Sequence, residues 1–234
     1  MRCSLILCSL VLLATGSLQA QHPRLGIKAG LNASTYAGTA LTRSGYQFGP
    51  TGGLLLQWPL GKHVDLQPEL LYEQRGAHLR YSHRTQGATF TAIDYSRTVR
   101  SRLHYGSLAP LVRLHQGSWF AVAGPQLSYL VDEKRVINDQ VQVIVGQVDP
   151  VLPDGAARTV RNTREYHRSE IGYVLGVGYE VSACWRVEGR YAAGFTKVRQ
   201  PVVVADAIYG PDQVQQARNQ SLQVQISYVL PARR

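Results

Sequence analysis

Cysteine is scarce in this chain and badly placed for a disulfide. Of three cysteines, Cys3 and Cys8 fall within the first twenty residues, and only Cys184 lies beyond them. Once that segment is removed, an intramolecular disulfide and a cysteine-rich metal site are both impossible. Long apolar runs are missing as well. Nothing after the N-terminal segment approaches the roughly 18 consecutive apolar residues of a transmembrane helix. Acidic residues are the third shortage, 15 Asp and Glu against 25 Lys and Arg, for a net charge of +10. Such an excess suits an anionic partner, nucleic acid being the first to consider. Export argues against nucleic acid, and lipopolysaccharide or another anionic glycan is the more natural counter-charge. His78, His83, His104 and His115 have no metal-ligand spacing, and no motif implies a cofactor.

Residues 1–20, MRCSLILCSLVLLATGSLQA, have the three parts of a secretory signal. Arg2 gives a positive start, Leu5 to Ala14 an apolar core too short to span a bilayer, and Ala20 a small residue before cleavage. Lipidation at Cys8 is disfavoured by bulky Leu7 and by the short run before it. The expected organisation is a signal peptide, 1–20, followed by a single domain, 21–234.

The rest of the chain reads as strands. Leu222, Val224, Ile226, Tyr228 and Leu230 alternate with Ser221, Gln223, Gln225 and Ser227, the period-two pattern of a strand with unlike faces. Trp185 to Thr196 and Ile171 to Val181 repeat it, with Val174 the one misfit in the latter. Leu25 to Asn32, Pro50 to Trp58 and Leu66 to Glu73 follow the rule more loosely. Leu103 to Arg113 and Trp119 to Leu130 complete a set of eight. The faces of Leu103–Arg113 stay unassigned, and Pro110 is expected to mark a bulge or an irregular point, since proline cannot donate to a ladder. The glycines Gly172, Gly176 and Gly178 lie inside a strand with no helix after them, so close packing or curvature is expected there rather than a phosphate loop.

Connections between these strands alternate in length. Pro59–His63, Leu114–Ser118 and Ser182–Cys184 are short; Ala33–Phe48, His78–Ser101, Val131–Arg168 and Lys197–Gln220 are long. An antiparallel eight-stranded barrel places all short connections at one rim and all long ones at the other, the habit of outer-membrane barrels. A soluble barrel of lipocalin type also alternates. Against it stand charges of both signs on the polar face and aromatics near strand ends (Trp58, Tyr72, Trp119, Tyr129, Trp185, Tyr228), where interfacial girdles sit. The expected fold is therefore all-β, a single closed antiparallel transmembrane β-barrel with short periplasmic turns, long extracellular loops and both termini periplasmic.

The segments GIKAGLN (26–32), LQPELLYEQRG (66–76), AGPQLSYLV (123–131), GVGYEV (176–181) and VEGRYAAGFTKV (187–198) carry a resemblance in their order and spacing. The chain resembles the outer-membrane β-barrel proteins common in Bacteroidetes, a family labelled "porin family" or "outer membrane protein beta-barrel domain". Such barrels usually finish on an aromatic; here Leu230 holds that place, followed by Pro231. The resemblance implies a location and a fold, insertion by the barrel-assembly machinery, and no reaction.

On the polar face, Lys28, Glu69, Glu73, Arg75, Glu180, Arg186, Glu188 and Arg190 form a candidate lumen set. An eight-stranded interior is only wide enough to be filled by side chains, and buried charges there must pair. A plugged, non-catalytic barrel with a structural or surface-interaction role is the first functional expectation, a small-solute or ion pore the second. A rim-located lipid hydrolase using His167 and Ser169 is the third, weakened because Glu170 points to the opposite face. In the long connections, Arg80, Arg84, Arg97, Arg100, Arg158, Arg161, Arg164 and Arg168 form a basic rim. They are candidates for contact with anionic glycan or lipid phosphate, which arginine's planar fork suits. Val141–Val145 is β-prone, so hairpins are expected to rise beyond the membrane, where exposed strand edges could take a partner. Outer-membrane lipid is the expected surrounding, and a monomer the expected state.

Overall fold

In the computed structural model, residues 23–38, 44–86, 91–145, 158–160, 167–198 and 217–231 are described. Every regular element among them is a strand: β1 (Arg24–Ala37), β2 (Ser44–Pro59), β3 (Val64–Gln86), β4 (Thr91–Gln116), β5 (Trp119–Val145), β6 (Arg158–Val160), β7 (Ser169–Glu180), β8 (Trp185–Lys197) and β9 (Arg218–Val229). No helix long and apolar enough to cross a membrane occurs among the described residues.

Eight of these strands form the wall. Each pairs antiparallel with its neighbours in the order β4-β3-β2-β1-β9-β8-β7-β5, and β4–β5 pairing closes the ring. Closure leaves no free edge within the ring itself, which is what lets strands sit in lipid. The three-residue β6 is not a stave; it adds to β5 at Arg135–Ile137, above the stretch that pairs with β7.

The short connections share one rim. Leu60–His63, Gly117–Ser118 and Val181–Cys184 lie there with the start of β1 and the end of β9, joined by bonds such as His115 N to His63 O and Leu230 N to Leu25 O. Gly117 takes φ of +60°, open to glycine without a Cβ clash, in the tightest of these turns.

Side chains alternate along most of each strand. Leu54, Leu70, Leu108, Leu127, Leu175, Val177, Val224 and Ile226 face outward and are about half exposed. Such a continuous apolar belt is far larger than a soluble surface tolerates. Aromatics flank it. Trp119–Tyr179 and Trp185–Tyr228 pack in pairs beside the turns. Further along the strands lie Tyr72 against His104 and Tyr173 between Tyr191 and Phe195.

Two expectations need correction and one is sharpened. The long connections are shorter than expected, because the strands continue into them: β1 runs to Ala37, β2 starts at Ser44, β3 reaches Gln86, β4 starts at Thr91 and β5 reaches Val145. The reason is an apolar interior at that end, where Tyr36, Leu79, Val99, Leu103, Leu130 and Ile137 pack together inside the extended wall. Pro110 is an irregular point and not a bulge: the β4–β5 ladder is interrupted between the Leu108–Leu127 and Val112–Ala123 pairs, with the same register on either side. The bulge is instead at Val131, between the His104–Asp132 and Tyr105–Leu130 pairs. It turns Val131 and Asp132 both outward and moves the inward face from even to odd positions. Val174 is no misfit, since it packs inward with Leu111, Phe120 and Val122 on an apolar side of the lumen. Gly178 makes room there, as a Cβ would come within 2.2 Å of the Phe120 ring.

Candidate functional site

The lumen is the densest chemistry in the molecule. Period-two alternation sends Lys28 inward from β1, Glu69, Glu73 and Arg75 from β3, and Arg186, Glu188 and Arg190 from β8. All seven are buried. Glu180, at the end of β7, is the eighth and keeps a partly exposed side chain.

At mid-height four of these close into a ring of alternating charge. Lys28 Nζ donates to Glu69 Oε1 at 2.7 Å and to Glu188 Oε2 at 2.8 Å. Arg190 donates from Nη1 to Glu69 Oε2 at 2.8 Å and from Nη2 to Glu188 Oε1 at 2.6 Å. β3 and β8 stand opposite each other across the barrel, so Arg190 reaches right over the bore. Gln67 adds an amide hydrogen bond to Glu69 at 2.7 Å. Charged donors and acceptors at these lengths make the strong class of hydrogen bond.

A second cluster lies towards the turns. Arg113 donates to Asp65 Oδ2 and to Glu180 Oε1, both at 2.6 Å, with its guanidinium 4.5 Å from the Phe120 ring centre. Glu180 and Arg186 are direct cross-strand partners, 2.9 Å apart. Gln57 links the two sides, accepting from Arg186 at 2.8 Å and donating to Asp65 at 2.6 Å.

The third cluster faces the tall end. Arg75 bridges Glu73 and Glu170 at 2.6 Å each, over the Tyr105 ring. Glu73 also accepts from Ser107, Gln126 and Gln223, at 2.6, 2.7 and 2.6 Å. Glu170 accepts from the Asn219 amide. Both carboxylates are therefore surrounded by donors, which is what burial of a charge requires.

Asp65, Arg113 and Glu170 are network members absent from the candidate set. Asp65 lies one step before the strand start read from sequence, yet it continues the Gln67, Glu69 alternation. Arg113 sits on the strand whose faces stayed unassigned. In the sequence Glu170 stands out only as a neighbour of His167 and Ser169. In the fold Ser169 is exposed and His167 half-buried, while Glu170 turns into the lumen. Among the described residues no group of three or more His, Cys, Asp or Glu is placed to hold a metal.

The rim arginines do not form one site. Arg80 and Arg100 face outward on β3 and β4, and Arg168 lies exposed just before β7, its Nη1 3.5 Å from the Tyr129 hydroxyl. Arg161 and Arg164, and the side chains of Arg84, Arg97 and Arg158, lie outside the described residues.

A closed ring of eight antiparallel staves, apolar outside and ion-paired within, agrees with a sequence-level match. The model of the outer membrane protein beta-barrel domain family fits residues 19–200, most of the chain. The chain belongs to that family. No curated protein matches it. Among solved structures, this outer-membrane barrel is similar to Ail, the attachment invasion locus protein of Yersinia pestis, at 8% identity and TM-score 0.38, covering 89% of this chain and 99% of that one. Neisserial surface protein A (NspA) is similar at 12% identity and TM-score 0.33, covering 87% and 96%. CarO of Acinetobacter baumannii is similar at 14% identity and TM-score 0.34, covering 86% and 97%.

Proposed function

We propose that this outer-membrane barrel is closed to solutes and non-enzymatic, with a structural or surface-interaction role. Its short turns and both strand termini face the periplasm and its tall β3–β4–β5 wall stands on the outer surface. The observation that carries this reading is the Lys28–Glu69–Arg190–Glu188 ring. It bridges opposite walls of the bore with every charge paired, and the clusters on either side of it fill the space that an eight-stranded interior leaves. A permeating ion would have to break pairs that are strong because water is excluded. The orientation rests on short turns being periplasmic in such barrels. The absence of chemistry rests on Ser169 and His167 having no carboxylate to orient them among the described residues, Glu170 being held by Arg75 and Asn219.

Liposome swelling tests the closed state. Vesicles carrying the wild-type barrel are expected to swell in small sugars no faster than protein-free vesicles. A rate that climbs with protein content contradicts the reading. Release of fatty acid from phospholipid by the purified barrel, lost on Ser169→Ala, would contradict its non-enzymatic part.

A further inference from the structure

Following β4 upward from the turns, the outward residues run Leu114, Val112, Pro110, Leu108, Gly106, His104, Arg102, Arg100. On β5 they run Trp119, Ala121, Ala123, Pro125, Leu127, Tyr129, Val131, and then, past the bulge, Lys134, Val136, Asn138. A membrane-crossing strand takes about 9–11 residues. Counted from Leu114 and from Trp119, that span ends near His104 and Tyr129. Arg102, Arg100 and Lys134 therefore lie on the rungs immediately beyond the apolar belt, where outer-leaflet headgroups begin.

These three cations are built against one another. Arg102 and Lys134 are direct cross-strand partners, and Arg100, paired with Val136, is the diagonal neighbour of Lys134. Like charges directly opposite on a ladder repel. Every ion pair among the described residues draws its cation from Lys28, Arg75, Arg113, His115, Arg135, Arg186 or Arg190. Arg100, Arg102 and Lys134 thus have no acid in ion-pair reach among those residues. Asp132, one rung nearer the membrane, is opposite His104. The three side chains, with Thr98, Val136 and Asn138, line a concavity of about 180 Å³. On the next strand Arg80 extends the positive face. After burial itself, the charges of Arg100 and Arg80 hold the His78 imidazole below its usual range.

We infer that the outward β4–β5 face at Arg100, Arg102 and Lys134 binds a phosphate of an outer-leaflet glycolipid. Two arginine forks and an ammonium supply the planar and point-charge donors that a phosphate takes. Thr98 and Asn138 add neutral donors above them. The height of the site selects a lipid headgroup over a soluble anion, since a molecule anchored in the leaflet arrives with its phosphate at that level. The inference rests on the orientation proposed above.

The test uses the barrel refolded in neutral detergent and then in vesicles. Bis-phosphorylated lipid A, its dephosphorylated counterpart and inorganic phosphate are the probes. Wild type is expected to bind the bis-phosphorylated lipid and to lose affinity on the order of a hundredfold in Arg100→Gln/Arg102→Gln/Lys134→Gln, about fivefold per cation. Lys62→Gln, at the opposite rim, retains wild-type affinity. Lys134→Gln alone gives a signature that a structural role would not. It raises the melting temperature without lipid, by relieving repulsion from Arg102, and lowers it with bis-phosphorylated lipid. Equal binding of both lipids, equal binding by the inserted wild type and triple variant, or saturation by inorganic phosphate at the same affinity overturns the inference and leaves the barrel reading intact. A wild type that fails to insert overturns both.

Discussion

The lower and upper halves of this barrel obey opposite rules along the same strands. Below the Tyr72–Tyr129 level, apolar side chains face out, and ion pairs fill the interior beside one apolar side at Leu111, Phe120, Val122 and Val174. Above it, Arg80, Arg100 and Arg102 face out, while Leu79, Val99, Leu103, Leu130 and Ile137 form a mainly apolar interior that also holds the Glu133–Arg135 pair. The parity of β3 and β4 does not change at the crossing; the chemistry does. What differs is the solvent. In lipid the hydrophobic drive to bury carbon is absent, and polar groups must find partners inside. In water the ordinary rule returns. The tall strands thus carry a mainly apolar core of their own, continuous with a barrel whose core is mainly ionic.

The two halves should break differently. The largest effect is expected at Arg190→Ala, which leaves the buried Glu69 and Glu188 to share Lys28 as their one cation and costs about 3–5 kcal/mol, read as a lower urea midpoint for folding into vesicles. Next is Leu130→Ala in the upper core, at about 2–5 kcal/mol for a buried leucine. Its damage is local: protease sensitivity rises in the β3–β5 wall while the membrane half stays protected. If both variants lose protection together, the halves form one cooperative unit and the contrast fails.

Charge on the outer face should then report depth. Val224→Arg is expected to cost about 2–4 kcal/mol if Val224 lies near the midplane. Asn138→Glu, above the belt, should stay within about 0.5 kcal/mol. Equal costs would remove the solvent boundary. Between these two effects falls Glu180→Gln. It weakens the pairs with Arg113 and Arg186, but Glu180 is partly exposed, so water compensates and about 1 kcal/mol is expected.

Much of the lower half could be read from the amino-acid order. Val224, Gln225 and Ile226 alternate without a break, and the Glu180–Arg186 contact follows from a tight turn between two clean strands. The upper half was hidden by its own inversion. Ala77 and Leu79 continue inward from Arg75, but a reader expecting polar residues inside sees the pattern stop. On β5 the Val131 bulge shifts the parity, so alternation that is sound in space looks broken in sequence. Glu170 was obscured by a different cause. Its partners Arg75 and Asn219 are distant along the chain, and only ring closure brings them together.

Single-channel recording of the wild type beside Arg190→Ala tests the central claim, that cross-bore ion pairs close the lumen. The account predicts a silent wild type and brief, small openings in the variant, where removal of the long arginine leaves a water path past Glu69 and Glu188. Steady, large conductance in the wild type, unchanged by Arg190→Ala, would contradict it.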